Sequence, residues 1–239
     1  MVPGKLYGIG VGTGDPELLT LKAKRILEEL DCLIIPKSKE EKRSLAYSIV
    51  SQVVNKQWEI IDLILPMTND KDRLNYCWSQ AASEILGILE TGKDAGFTTL
   101  GDPSIFSTFG YILEQVKKLN PETQVEVIPG ISAINSIAAR IGQPLVQGEE
   151  NLVIIPALKD IHLEELNGIF DNLVLVKAGG QVERIIEWVD SQTKPLNTFL
   201  VSRCGFEDEV CTDNLKSIAS RDLDYLSTVI IKSKKEGSD

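Results

Sequence analysis

The sequence predicts an α/β fold, with two α/β domains and mostly parallel or mixed sheets. Short β-branched runs recur along the chain, and the segments between them carry apolar residues at helical spacing. Strands that alternate with helices are typical of βαβ units. Hydrophobic residues make up 43% and charged residues 25% of the 239 positions, which are ordinary values for a globular protein with a buried core.

Each predicted element follows from a local pattern. Apolar residues at Leu19, Ala23, Ile26 and Leu30 predict a helix after the first strand, because they share one helical face. Ile112, with Leu113, Val116 and Leu119, predicts another in the same way. Nine strands are predicted, enough for one sheet or two smaller ones: 6–9, 32–35, 59–64, 95–99, 125–128, 152–155, 173–176, 198–201 and 228–231.

A domain boundary is predicted where the pattern breaks. The stretch Gly142–Asn151 holds two glycines, one proline and a run of polar residues, as a linker would. We therefore expect an N-terminal domain at 1–145 that carries the glycine-rich turns and a C-terminal domain at 146–239.

Composition excludes several classes of function. The four cysteines form no Cys-x-x-Cys pair and the single histidine, His162, has no cysteine near it, so we expect free thiols and no protein-bound metal. A net charge of −10 disfavours a nucleic-acid partner. No stretch approaches the roughly 20 apolar residues that cross a bilayer, and the N-terminus lacks the pattern of a signal peptide. A cytoplasmic protein without a membrane partner is the expectation.

The first glycine-rich motif reads Gly-Ile-Gly-Val-Gly-Thr-Gly-Asp-Pro-Glu at 8–17, between a predicted strand and a predicted helix. Asp15 can cap that helix and Pro16 fits its first turn. A dinucleotide-binding loop is the obvious rival, but the glycine spacing is not the standard one, and Asp15 puts an anion where a pyrophosphate would sit. Glycines that serve only a tight turn are the other alternative.

Two further motifs have the same strand, turn and helix order. Thr-Thr-Leu-Gly-Asp-Pro-Ser-Ile-Phe-Ser-Thr at 98–108 places Gly101 and Asp102 at the end of a strand, where open α/β sheets bind ligands. Pro103 is expected to start the next helix. Val-Ile-Pro-Gly-Ile-Ser-Ala-Ile at 127–134 repeats the pattern, with Ser132 near a helix start. Three such strand ends could line one crevice.

Together the three motifs resemble the tetrapyrrole methylases, the class III methyltransferases of corrin and sirohaem synthesis. Their order and separation match, and the resemblance continues through 173–179 and 200–205 to 225–231. Within the family, the chain is most similar to the branch that methylates C-20 of precorrin-2 or its cobalt form in cobalamin synthesis. Leu100 supports this branch, because the uroporphyrinogen-methylating branch usually has glycine there. Ser44-Leu45-Ala46 and the runs 65–70 and 201–206 also fit.

The resemblance implies a homodimer in which each chain binds S-adenosylmethionine between two α/β domains. Thr13 stands where the family usually has proline, and Lys177 where several members have methionine. The positions that the resemblance assigns to the methyl donor are Leu100, Gly101, Asp102, Ile105, Ser132, Ala133, Lys177, Cys204 and Thr228.

The implied reaction is displacement at an activated methyl group, so aligning the two reactants should provide most of the rate enhancement. Asp102 is accordingly expected to position a ligand more than to act as a base. A tetrapyrrole carries many carboxylates, so we hypothesise that Lys37, Lys39 and Arg43 meet them; a solvated charge run, with Lys42 among acidic neighbours, is the alternative. Rival functions are another tetrapyrrole methylase, a nicotinamide-dependent dehydrogenase, or a nucleotide-binding protein without turnover.

Overall fold

The computed structural model describes residues 2–37, 44–66, 68–159, 161–219 and 221–233. The chain divides between Ser132 and Ala133 into two compact units. The stretch 142–151, where the sequence predicts the boundary, is a loop that precedes the second sheet. The helix before this loop packs within the second unit, because its Ile134 and Ile137 join a buried cluster with residues such as Val174 and Ile230.

The elements of the first unit are β1 Leu6–Gly10, α1 Leu21–Glu29, β2 Cys32–Lys37, α2 Leu45–Val53, β3 Glu59–Ile64, α3 Lys71–Glu90, β4 Ala95–Thr99, α4 Phe109–Leu119 and β5 Val125–Ile128. Its strands form a parallel sheet in the order β3-β2-β4-β1-β5, so the carboxyl ends of β4, β1 and β5 are neighbours at one edge. One face of this sheet packs against α3 and α4, with Phe97, Ile85 and Ile112 in the shared core.

Two helix starts in this unit differ from the sequence prediction. Asp15 does cap a helix at Pro16, accepting from the N–H of Glu17, but this is a short 3-10 turn, and α1 begins later with Thr20 as its cap. Pro103 does not start α4, which begins at Phe109. Residues 103–106 form a turn and a bend, and the left-handed backbone of Phe106, with φ 51°, interrupts any helix that would continue from Pro103.

The elements of the second unit are α5 Ala133–Arg140, β6 Leu152–Pro156, β7 Asn172–Val176, α6 Val182–Asp190, β8 Leu196–Ser202, β9 Val210–Thr212 and β10 Ser227–Ser233. Its strands form a mixed sheet in the order β6-β7-β10-β8-β9, in which only β6 and β7 are parallel. All nine predicted strands are present, in one unit or the other. The sequence did not predict β9, whose three residues are too few to carry a pattern.

None of the helices in the described part of the chain is both long and apolar enough to traverse a bilayer. The fold class predicted from the sequence, α/β with parallel and mixed sheets, is confirmed.

Candidate functional site

Three turns meet at the carboxyl edge of the first sheet. The turns after β1 and β4 join through the backbone: the N–H of Gly101 donates to the carbonyl of Gly12 at 2.7 Å, and the N–H of Val11 to that of Thr99 at 3.0 Å. Gly12 and Gly101 form an antiparallel bridge, with φ values of 80° and 69° that favour glycine. The first two glycine-rich motifs therefore form one continuous backbone surface.

The third turn packs against the other two through glycines. A Cβ on Gly10 would lie 2.6 Å from the carbonyl oxygen of Gly101 and from the nitrogen of Gly130. A Cβ on Gly130 would lie 2.2 Å from the same carbonyl oxygen. No side chain fits at either position, because the atoms in the way are backbone. The glycines allow three main-chain segments to touch and to leave peptide groups at the edge of the sheet.

The Asp102 carboxylate ties the second turn to the third. One oxygen accepts the N–H of Ser104 at 2.8 Å and the Ser104 hydroxyl, and the other accepts the N–H of Gly130 at 2.9 Å. Partial burial pushes the pKa of Asp102 upward, but the bonds from Ser104 and Gly130 outweigh it and the net pKa lies below the usual value. The group is therefore ionised at neutral pH, is engaged within the protein, and is a poor general base there.

The other residues near these turns that the resemblance assigns to the methyl donor lie in the first unit, except Ala133, which is the first residue of the second unit. Leu100 is half-buried directly before Gly101. Ile105 is 38% exposed in the loop after Asp102. Ser132 is buried, two residues after Gly130, and Ala133 begins α5. The structure thus brings Leu100, Gly101, Asp102 and Gly130 to one edge, with Ile105 in the adjoining loop.

Lys177, Cys204 and Thr228 lie at one end of the second sheet. Thr228 on β10 pairs with Val176 of β7 on one side and Val201 of β8 on the other, while Lys177 and Cys204 follow the ends of β7 and β8. Two backbone hydrogen bonds join the strand ends: the N–H of Ala178 donates to the carbonyl of Ser227 at 2.8 Å, and the N–H of Arg203 donates to the carbonyl of Leu226 at 3.1 Å. The sequence predicted these residues separately, and the sheet register brings them to the same end.

Charged side chains hold this end of the second sheet. Arg203 has a left-handed backbone with φ 53°, and its guanidinium pairs with Asp208 at 2.7 Å and Asp224 at 3.4 Å and stacks over Phe206 at 4.7 Å. The Asp208 carboxylate, aided by Asp224, holds the pKa of Arg203 above its usual range. No sequence motif gives Arg203 a role, because its acidic partners Asp208 and Asp224 are not at a motif spacing.

The Cys204 thiol is not a reactive nucleophile. Burial, and then the nearby Glu209 carboxylate, raise the pKa of Cys204 to about 11, so the thiol is neutral at physiological pH. Glu209 is itself paired with Arg140 at 2.5 Å and accepts the N–H of Gly205 at 2.8 Å. Any contact from Cys204 to a ligand is therefore one of shape or backbone rather than thiolate chemistry.

The basic residues predicted to meet substrate carboxylates are only partly described. Lys37 ends β2, its side chain is 18% exposed, and its ammonium pairs with Asp62 on β3 at 2.5 Å. Lys39 and Arg43 lie outside the described residues. A carboxylate ligand of Lys37 would have to compete with Asp62. Across the ranges that the structure covers, no group of three His, Cys, Asp or Glu side chains could hold a metal ion.

Comparison with known proteins gives concordant results. Residues 5–219 match the family Tetrapyrrole (Corrin/Porphyrin) Methylases. A probable cobalt-precorrin-2 C(20)-methyltransferase of Methanocaldococcus jannaschii is 40% identical over 95% of this chain and 96% of its own length. The cobalt-precorrin-2 C(20)-methyltransferase of Salmonella typhimurium is 32% identical over 98% of both chains.

A solved structure supports the architecture. The uroporphyrin-III C-methyltransferase of Thermus thermophilus, in complex with S-adenosylhomocysteine, superposes with a TM-score of 0.66 at 20% identity, covering 96% of this chain and 92% of the other. At that identity the similarity establishes the fold alone. The family match covers most of the sequence and includes all three glycine-rich turns, and two near-full-length relatives exceed 30% identity. The chain belongs to the tetrapyrrole methylase family.

Proposed function

We propose that this protein is an S-adenosylmethionine-dependent C-methyltransferase that methylates C-20 of precorrin-2 or of its cobalt form in cobalamin biosynthesis. The observation that carries the proposal is the near-full-length match to two relatives named for this reaction, at 40% and 32% identity. The three-turn edge of the first sheet, built from backbone and tied by Asp102, supplies a fitting place for a nucleoside-containing donor.

The residues at this edge suit the donor chemically. The close packing at Gly10, Gly101 and Gly130 lets a ligand approach the main chain without side-chain bulk, and Ile105 offers an exposed apolar surface beside it. We assign donor contacts to Leu100, Gly101, Asp102, Ile105 and Ser132 in the first unit and to Ala133, Lys177, Cys204 and Thr228 in the second. When bound, S-adenosylmethionine supplies a methyl group already activated by its sulfonium.

The protein's contribution to methyl transfer is alignment. C-20 forms a bond to the methyl carbon as the sulfonium–methyl bond breaks, S-adenosylhomocysteine leaves with the electron pair, and C-20 then releases its proton. The attacking carbon must lie in line with the breaking bond, and holding the two reactants in this geometry can lower the barrier by several kcal/mol, roughly 7–11 in the best intramolecular cases. Asp102 serves this by fixing two turns in contact through Ser104 and Gly130. Because its carboxylate is occupied and its pKa is low, we assign it positioning and no proton transfer.

Substrate carboxylates need cations, and we keep Lys37, Lys39 and Arg43 as the proposed group. Lys37 is paired with Asp62, so a substrate carboxylate would replace Asp62 as the partner of its ammonium. Replacing the three basic residues together by glutamine should raise the substrate KM and weaken its dependence on salt. An unchanged KM at low ionic strength would reject this assignment.

A side-by-side assay tests the function. The purified protein is incubated with S-adenosylmethionine carrying a labelled methyl group and with precorrin-2 or its cobalt form, and the products are analysed by mass spectrometry and NMR. We expect one added methyl group at C-20. Methylation at another carbon would indicate a different tetrapyrrole methylase, and calorimetry showing NAD binding without S-adenosylhomocysteine binding would reject the proposal altogether.

The resemblance also implies a homodimer, which we retain as part of the proposal. Light scattering after size-exclusion chromatography should give twice the 26.4 kDa chain mass. A mass of one chain at micromolar concentration would contradict it.

A further inference from the structure

The loop between β4 and α4 holds an aromatic residue in an unusual conformation. Phe106 has a backbone φ of 51°, in the left-handed region, and the residue is 46% exposed. A bulky residue at positive φ is an outlier, because its Cβ crowds the backbone, and glycine or asparagine is the ordinary occupant. The fold therefore keeps a half-exposed ring at a position where a smaller residue would fit more easily.

The loop around Phe106 is fixed at both ends. On one side the N–H of Ile105 donates to the Asp102 carbonyl at 3.3 Å, and the Asp102 carboxylate holds Ser104. On the other side the Ser107 hydroxyl donates to Thr99 Oγ1 at 3.0 Å and accepts the N–H of Phe109 at 3.1 Å. Phe106 is thus presented from a short, anchored loop, and strained residues held in this way cluster at ligand sites.

Binding of the methyl donor, as assigned above, does not require the Phe106 ring. The donor contacts assigned to Leu100, Gly101 and Asp102 use the backbone of the preceding turn, and none of them needs an aromatic ring. A tetrapyrrole, by contrast, combines a broad, largely apolar macrocycle with a charged rim. Cations suit the rim, whereas an aromatic side chain suits the apolar face, because burying apolar surface between the two is favourable.

We propose that Phe106 contacts the face of the tetrapyrrole and is a substrate-binding and specificity-determining residue. This inference rests on the proposed function, whose substrate it helps to select. Its location, four residues after Asp102, puts the ring beside the turn to which methyl-donor binding is assigned. The left-handed backbone of Phe106 holds the ring in this exposed place.

The decisive variant is Phe106→Asn, since asparagine tolerates the left-handed backbone and lacks the ring. We expect the KM for precorrin-2, or for its cobalt form, to rise about tenfold, which is the loss of one aromatic contact. The Kd for S-adenosylhomocysteine should stay within about twofold of wild type. The unfolding midpoint should not fall, because the backbone strain is relieved. Phe106→Tyr should keep the wild-type KM.

The matched control is Tyr76→Ala, which removes a 66% exposed aromatic ring from α3 of the same unit and should leave the substrate KM unchanged. If the wild-type protein methylates neither substrate, the proposed function fails. If it does so and Phe106→Asn keeps the wild-type KM, only the Phe106 inference fails. A parallel loss of S-adenosylhomocysteine affinity in Phe106→Asn would also overturn it, because the ring would then serve the donor.

Discussion

The two units of this protein build their candidate ligand-binding edges by different means. At the carboxyl edge of the first sheet, main chain touches main chain at Gly10, Gly101 and Gly130, and one carboxylate fastens the turns. At the end of the second sheet that carries Lys177, Cys204 and Thr228, charged side chains fasten the loops: Arg203 pairs with Asp208 and Asp224. The first edge depends on the absence of side chains, and the second on their charges.

The difference predicts unequal tolerance to substitution. Backbone atoms cannot move aside for a new Cβ, whereas partly exposed ion pairs contribute modestly and can be replaced by water. Changes at the first edge should therefore be severe and local, and changes at the second edge graded.

The largest effect is expected for Gly130→Ala. The new Cβ would meet the Gly101 carbonyl oxygen at 2.2 Å and the Gly10 carbonyl carbon at 2.7 Å. The three turns would separate, and a misplacement of this kind can cost about a hundredfold in activity. We expect methyl transfer to fall by at least that factor, with a loss of about 1–3 kcal/mol in the free energy of unfolding from overpacking.

Gly87→Ala is the control for this substitution. Gly87 lies in α3, and a Cβ there has nothing within 4 Å. Alanine should stabilise the helix by up to about 1 kcal/mol and leave activity intact. Wild-type binding of S-adenosylhomocysteine by Gly130→Ala would contradict the view that the first edge is built from touching backbone.

Asp102→Asn tests the single side chain on which the first edge depends. An amide cannot accept from Ser104 and Gly130 with both of its heavy atoms, so one donor loses its acceptor. We expect S-adenosylhomocysteine affinity to fall about tenfold, comparable to leaving one buried donor unpaired. The pH dependence of kcat above neutrality should match that of the wild type, because Asp102 positions the turns and takes no proton.

The pH dependence of stability gives a second check on Asp102. Its folded-state pKa is lowered, so its ionised form stabilises the fold above the unfolded pKa of about 3.9, and that contribution is lost as the pH falls through the folded value. The stability difference between wild type and Asp102→Asn should therefore be largest at neutral pH and shrink below about pH 4. A difference that grows in acid would contradict this assignment.

The same contrast explains what the sequence reveals. The first edge can be predicted from the sequence because close backbone packing requires glycine, and its glycines lie at the ends of runs that the sequence predicts as strands. The contact of Asp102 with Gly130 was not readable, since it spans 28 residues and follows from strand order. At the second edge, neither the clamp around Arg203 nor β9 carries a pattern, because ion-pair partners such as Asp224 come together only in the folded chain.

Arg203→Met should have a smaller effect, and it tests the second edge. Methionine keeps an unbranched stem at the left-handed position but loses both ion pairs, whose acidic partners are 66% and 39% exposed. We expect a severalfold weaker affinity for S-adenosylhomocysteine and a loss of about 1 kcal/mol in stability, as partly exposed pairs are each worth up to that much. Calorimetry and denaturant unfolding measure the two effects.

The conservative variant and a control sharpen the Arg203 test. Arg203→Lys should recover little, because one ammonium cannot reproduce bonds made from Nε and Nη1 to two different carboxylates. Arg25→Met removes an exposed pair with Glu29 at 3.3 Å and should leave affinity unchanged. An affinity loss at Arg203 as large as that of Gly130→Ala would erase the distinction between the two edges.

The smallest effect is expected for the buried tryptophans in the cores of the two units, Trp58 and Trp188. Trp58 of the first unit donates its indole N–H to the Leu27 carbonyl at 2.8 Å, whereas the buried indole N–H of Trp188 in the second unit meets no acceptor among the described residues. Tryptophan to phenylalanine removes the same volume at both sites but a hydrogen bond only at Trp58. Trp58→Phe should therefore destabilise by about 1 kcal/mol more than Trp188→Phe in denaturant unfolding. Equal losses would mean that both donors are equally satisfied, and neither variant should alter methyl transfer.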